Sequence, residues 1–235
     1  MRNDLRIAPA NLAVIALAGL AGTAHGAPDD DRPPAWANDF TARLEALAVL
    51  QTLNADLLGH DSATLTLDRW CATHKLAPAG SKIVAQRVRD QDKPADAHIR
   101  ELLAVKPDEP IAYRRVRLAC GDRILSEADN WYVPARLTPD MNNTLDTTNT
   151  PFGKVVQPLH FQRHTLSSTL LWLPLPDGWE MSDVGKTGGA GSMSIPPAVL
   201  ENKAVLSLPD GTPFSEVVET YSSNVLAFSP PDANR

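Results

Sequence analysis

Cysteine is nearly absent: the 235-residue chain has two, Cys71 and Cys120. With no histidine ligands nearby they make no zinc site. Spacing alone does not show that they meet, so a disulfide and two buried thiols both stay open. Basic tracts are missing too. The formal net charge is −6 and the lysines and arginines are interspersed with acids, which counts against binding a phosphate backbone. No helix-turn-helix segment is visible, which disfavours a transcription regulator. There is no internal repeat and no Gly-x-Ser-x-Gly elbow. Gly185-Lys186-Thr187 lacks the glycine five places earlier that a phosphate loop needs, since Glu180 stands there. Lys186-Thr187-Gly188 has no Ser-x-x-Lys partner motif. His160 and His164 have no acidic or cysteine neighbour in local sequence. They read as surface histidines, and no metal or organic cofactor is expected.

Long apolar runs are confined to one place. Residues 1–26 combine a basic start, an apolar stretch from Leu12 to Gly22, and Ala24-His25-Gly26 before Ala27. That is the pattern of a secretory signal peptide, and the run is shorter than the roughly 20 residues a span needs. The chain is therefore expected to be exported, periplasmic or secreted, with no membrane span after signal removal. An oxidising location would favour a Cys71–Cys120 bridge. Residues 27–35, rich in Pro and Asp, form a lead-in expected to be mobile. Residues 36–229 are of a length that buries one core, and 230–235 form a polar tail.

The pattern along residues 36–229 is α+β. Apolar residues at three- and four-residue steps from Phe40 to Leu57 predict a helix over Trp36–Leu58. A second helix follows over Ser62–His74, capped by Ser62 or Thr64. Ser81–Arg89 alternates as a strand, and Pro94–Val105 is a brief helix. Strands Ile111–Ala119 and Arg123–Pro134 make a hairpin around Gly121-Asp122. Thr138-Pro139-Asp140 and Thr150-Pro151 each open a short helix by the cap-then-proline rule. A β-rich stretch spans His160–Leu173, and Asp177–Ser194 reads as a surface loop. Strands near Ala204–Leu208 and Phe214–Tyr221 follow, with an edge strand over Asn224–Phe228. Helices first and then an antiparallel meander imply one sheet with helices packed on a face.

Three stretches carry candidate chemistry. On the strand through Arg115, Tyr113, Arg115 and Arg117 share one face, and Arg114, Val116, Leu118 and Cys120 the other. Arginine is the natural clamp for a carboxylate, although an isolated arginine on a sheet is more often solvated or ion-paired. Thr150-Pro151-Phe152-Gly153-Lys154 presents the unpaired N–H groups of a helix start, which suit an anion; the bland alternative is a plain capped turn. After Gly211-Thr212-Pro213, Glu216 and Glu219 lie three apart and so face opposite ways, one inward and one solvated. An inward acid beside an apolar cavity would have a raised pKa and could donate a proton.

The order of Arg115-x4-Cys120, Asp122, a strand ending at Pro134, Thr150-Pro151-Phe152-Gly153-Lys154, Arg163, and Gly211-x-Pro213 leading to Glu219-x-Tyr221 resembles chorismate lyase. That small cofactor-free enzyme splits chorismate into 4-hydroxybenzoate and pyruvate, and the same fold occurs in effector-binding domains of certain bacterial transcription regulators. The resemblance covers roughly residues 60–228. It implies an antiparallel sheet with helices on one side and an enclosed ligand cavity between them. It implies that Arg115 holds the ring carboxylate with help from the amides of Phe152 and Gly153. Glu219 would hydrogen-bond or protonate the leaving ether oxygen, and Trp70, Arg163 and Arg117 would contact the ligand. Reaching Glu219 needs one residue more after Pro213 than the family spacing, so Glu216 stays an alternative acid. Arg117 stands where an apolar residue is expected, and Ser126–Trp131 is more polar than its equivalent, implying an altered pocket or a second polar network. Export also separates the protein from cytoplasmic chorismate. Three functions therefore stay open: a lyase acting on a chorismate-like carboxylate, a non-catalytic periplasmic binder of a small aromatic carboxylate, and an envelope interaction protein.

Overall fold

Asp39 starts the first long helix, its carboxylate accepting from the amide of Ala42. The computed structural model describes residues 35–89, 91–182 and 189–228. The signal-peptide reading, most of the lead-in, the Gly185–Gly188 motifs and the polar tail lie outside them. Helix α1 (Phe40–Leu58) buries Ala42, Ala46, Leu50, Leu53 and Leu57, while Leu44, which the leucine spacing put inside, is exposed. Helix α2 (Ala63–Thr73) is capped by Ser62, whose hydroxyl accepts from the Leu65 amide.

Six antiparallel strands follow: β1 (Ile83–Val88), β2 (Ala112–Cys120), β3 (Arg123–Tyr132), β4 (Gln162–Leu170), β5 (Ala198–Ser207) and β6 (Pro213–Ser222). They form one sheet in the order β1-β2-β3-β6-β5-β4. The β2–β3 hairpin turns at Gly121, whose φ of +57° needs the freedom of glycine. The main core lies between one sheet face and α1 with α2. Leu50, Leu53, Leu57 and Leu67 meet Val116, Leu118, Val217 and Tyr221 there. Cys71 at the end of α2 is bonded to Cys120 at the end of β2, with Cα atoms 6.5 Å apart, which staples this helix to the sheet.

Helix α3 (Ala97–Leu102) departs from the one-sided arrangement. It lies on the opposite face, where Ile99 and Leu103 cover Trp131. Helices α4 (Pro139–Thr147), capped by Thr138, and α5 (Phe152–Val155) bridge β3 to β4. Thr150 does not cap α5: Pro151 holds the cap position with no side-chain bond. The edge strand expected over Asn224–Phe228 is instead a 3-10 turn, Ser223–Leu226. Its carbonyls at Leu226 and Val225 accept from the indoles of Trp36 and Trp70, a demand that pulls the segment over the helices and away from the sheet edge. Part of the Asp177–Ser194 loop is tied down, since Gly191 and Ser192 pair with Ala37 and Asn38. No helix among the described residues is long and apolar enough to cross a membrane.

Candidate functional site

A cavity of about 50 Å³ lies between the sheet and the starts of α2 and α5, with room for a group of a few heavy atoms. Three sheet strands supply its floor. Register places Arg114 of β2 opposite Asn130 of β3, and Asn130 opposite Val217 of β6. One pleat along, Val116, Ala128 and Glu219 form the next row. The small Ala128 between two longer residues leaves the hollow. The segment Asp61–Thr64 and the residues Phe152, Gly153 and Phe161 close it above. Gly153 eases that approach, because a Cβ there would come within 3.1 Å of the Ser62 hydroxyl, tighter than ordinary packing. Lys154 then pins α5 to α2 through Asp68 at 3.0 Å.

Arg114 is the unusual group. It is 2 % exposed, yet no acid pairs with it among the described residues. Its Nη2 donates to the Thr150 carbonyl at 3.2 Å, while Nε and Nη1 are buried without a hydrogen-bond partner among the described residues. Burial, then the charge of Arg87, push its pKa down to about 10. Beside it, one amide end of Asn130 donates to Ser215 at 3.1 Å and the other end has no partner. The first residues of α2, an 11-residue helix, line the same space, and a helix start favours anions.

Glu219 lines the opposite wall and is already engaged. Arg163 donates to its Oε2 at 2.6 Å and Tyr221 donates to the same oxygen at 3.1 Å. Arg163 is the side chain of the edge strand β4 drawn inward, 5 % exposed. Burial opposes its charge, and Glu219, Tyr221 and Asp61 together outweigh that and hold the guanidinium above its ordinary value. Burial and then the Glu219 charge push the Tyr221 phenol far up. Asn202, opposite Glu219 on β5, is fully buried with neither amide end paired among the described residues.

The structure thus brings together Glu219, Arg163, Phe152 and Gly153, and not Arg115. Arg115 and Arg117 lie on the other sheet face, which overturns the expectation that Arg115 meets Glu219. Arg115 pairs with Glu127 at 2.7 Å and Asp129 at 3.7 Å, and Arg117 pairs with Glu127 at 2.8 Å. Tyr113 donates to Asp129 at 2.7 Å. The strand alternation that separates Arg114 from Arg115 is the reason: only one of two adjacent arginines can face the cavity. Trp70 is buried, stacked on His74 and bonded to Val225, and does not line the cavity. Glu216 is not solvated; it is buried on the far face opposite Trp131, with its pKa raised by burial. Ser126–Trp131 gives both networks that its polarity implied. Asn130 serves the cavity, and Glu127 with Asp129 serves the ion pairs on the other face, over a groove of about 560 Å³. Among the described residues no group of three or more His, Cys, Asp or Glu side chains is placed to hold a metal ion.

No protein-family model matches the chain. Over 196 residues it is 62 % identical to a Sinorhizobium fredii (strain NBRC 101917 / NGR234) protein described as uncharacterized protein y4mC, covering 83 % of each. The chain belongs to the family of y4mC. Among solved structures, PhnF from Mycobacterium smegmatis is similar with a TM-score of 0.45 and 16 % identity, covering 76 % of this chain and 71 % of that one. The effector domain of the same PhnF gives 0.43 and 15 %, covering 69 % and 89 %. YydK from Bacillus subtilis gives 0.39 and 15 %, covering 66 % of this chain. This chain spans 63 % of the length of YydK.

Proposed function

We propose that the protein is a non-catalytic binder of a small carboxylated molecule, taken up between the sheet and the starts of α2 and α5. The observation that carries this reading is Arg114, a buried cation with two unpartnered N–H positions. A buried charge without a counter-charge costs several kcal/mol, and a ligand carboxylate hydrogen-bonded to it would offset that cost. The chorismate lyase reading fits the geometry less well. Its arginine, Arg115, is ion-paired on the far face, and its acid, Glu219, is held by Arg163 and Tyr221. A cavity of about 50 Å³ also has no room for a ring bearing an enolpyruvyl group. Export to the periplasm or beyond is part of the proposal, supported by the pattern of residues 1–26 and by a disulfide of the kind oxidising compartments sustain.

Thermal unfolding and calorimetric titration of the processed protein with a panel of small carboxylates test the reading. A ligand at 100 times its Kd stabilises by about 2.7 kcal/mol, a rise of roughly 5–10 °C for a domain of this size. Arg114→Met should abolish the rise, and incubation with chorismate should release no 4-hydroxybenzoate. If no carboxylate shifts the transition, or Arg114→Met binds as the parent does, the reading is wrong.

A further inference from the structure

Charge is distributed unevenly along the cavity. Arg114 stands alone at the floor, with no acid in ion-pair contact among the described residues. At the other end, Glu219 and Asp61 both line the space. Arg163 is the one cation bonded to them: its guanidinium donates to Glu219, and its backbone amide donates to Asp61 at 3.3 Å. One end therefore carries an uncompensated positive charge, and the other carries two carboxylates against one guanidinium. Asn130 offers its unpartnered amide end between the two. Asp61 is exposed while Glu219 and Arg114 are buried, so the acidic end opens to the mouth at Asp61 and the cationic end is closed.

We infer that the ligand is a zwitterion of a few heavy atoms, a small amino acid, entering carboxylate first. This rests on the reading that the cavity binds a carboxylate, and it replaces the aromatic carboxylate of the sequence-based expectation. Its carboxylate accepts from one of the two unpartnered nitrogens of Arg114, Nε or Nη1. Its ammonium lies toward Glu219 and Asp61. The small volume of about 50 Å³ favours a ligand of few heavy atoms over a substituted ring. A simple carboxylate satisfies only the floor and leaves the acidic mouth without a partner. A simple amine satisfies only the mouth and leaves Arg114 uncompensated.

The test is titration calorimetry and thermal shift with alanine, propionate, ethylamine and 4-hydroxybenzoate. These probes separate carboxylate, ammonium and ring size. Alanine is expected to bind at least about tenfold more tightly than propionate, the worth of one hydrogen bond to a charged group, and ethylamine and 4-hydroxybenzoate not at all. Glu219→Gln should bring alanine close to propionate. Asp61→Asn, at an exposed position that leaves the core untouched, should weaken alanine severalfold and leave propionate unchanged. Should propionate equal alanine, or 4-hydroxybenzoate bind more tightly than either, the zwitterion inference falls while the carboxylate reading stands. Should none of the carboxylates bind, both fall together.

Discussion

Replacing Arg114 by Met removes a buried cation and keeps its volume. A guanidinium pushed down to about 10 by burial is disfavoured in its charged form by about 3 kcal/mol. Against that, the variant loses the bond to the Thr150 carbonyl at 3.2 Å and leaves that oxygen buried, a loss of about 1–2 kcal/mol. The balance is a gain of about 1–2 kcal/mol in the ligand-free protein, within the range seen when buried charges give way to apolar isosteres. In a chain of this length that is a rise in Tm of roughly 2–8 °C. Urea unfolding in a carboxylate-free, non-coordinating buffer gives the free energy directly, and an unchanged slope with denaturant shows that the native fold is kept. The variant should be more stable and unable to bind. If Arg114→Met is instead destabilised by 1 kcal/mol or more, Arg114 is a structural pin for the Thr148–Thr150 segment, and the reasoning that gives it a ligand fails.

Three further outcomes follow from the same contacts. Arg163→Met should cost about 3 kcal/mol, because it strands the Glu219 carboxylate in the interior; adding Glu219→Gln should recover most of the loss in urea unfolding. Substituting both cysteines by Ala should lower the unfolding free energy by about 4 kcal/mol, the loop-closure value for cysteines 49 residues apart, and thermal scans under reducing conditions should show the same fall. Arg115→Ala should leave ligand affinity unchanged and cost under about 1 kcal/mol, since its partners are partly exposed. The hydrogen bond from Arg115 holds the Glu127 carboxyl below its ordinary 4.5. This contribution is therefore complete above the unfolded value and is lost as pH falls through the lower, folded value. The stability gap between parent and Arg115→Ala should close on acidification, and a gap that widens would refute the assignment.

The first strands, β1 and β2, were legible because each has one face for the core and the other largely for solvent and ion pairs. Ile83 and Ala85, or Val116 and Leu118, announce their side by alternation alone. Caps that use a side chain directly before the helix, Ser62 and Thr138, were legible as well. The Asn224–Phe228 segment was not, because its conformation is set by two indoles more than 150 residues away seeking carbonyls. Local pattern contains no trace of such a partner. Likewise, the Cys71–Cys120 pairing needed the helix–sheet contact, which only the fold supplies.

For the site, the decisive signal was present in the strand but points to the neighbour of the residue first favoured. Tyr113, Arg115 and Arg117 are polar together, so that row has the ordinary appearance of a hydrated or ion-paired face, which it is. Arg114 is the one charge in a row shared with Val116, Leu118 and Cys120, all buried. A cation among core residues is costly unless something meets it, so the exception in the apolar row is the stronger indicator of a ligand. The same argument separates Asn130 from Glu127 and Asp129 in the next strand, and Asn202 from Glu201 and Lys203 in β5. In these three strands, β2, β3 and β5, the polar residue on the core-facing row is left with buried, unsatisfied atoms, while the charges on the opposite row find partners among themselves. Function in this fold follows the misfit within a pattern, and the cost of that misfit in the empty protein is what the Arg114→Met measurement weighs.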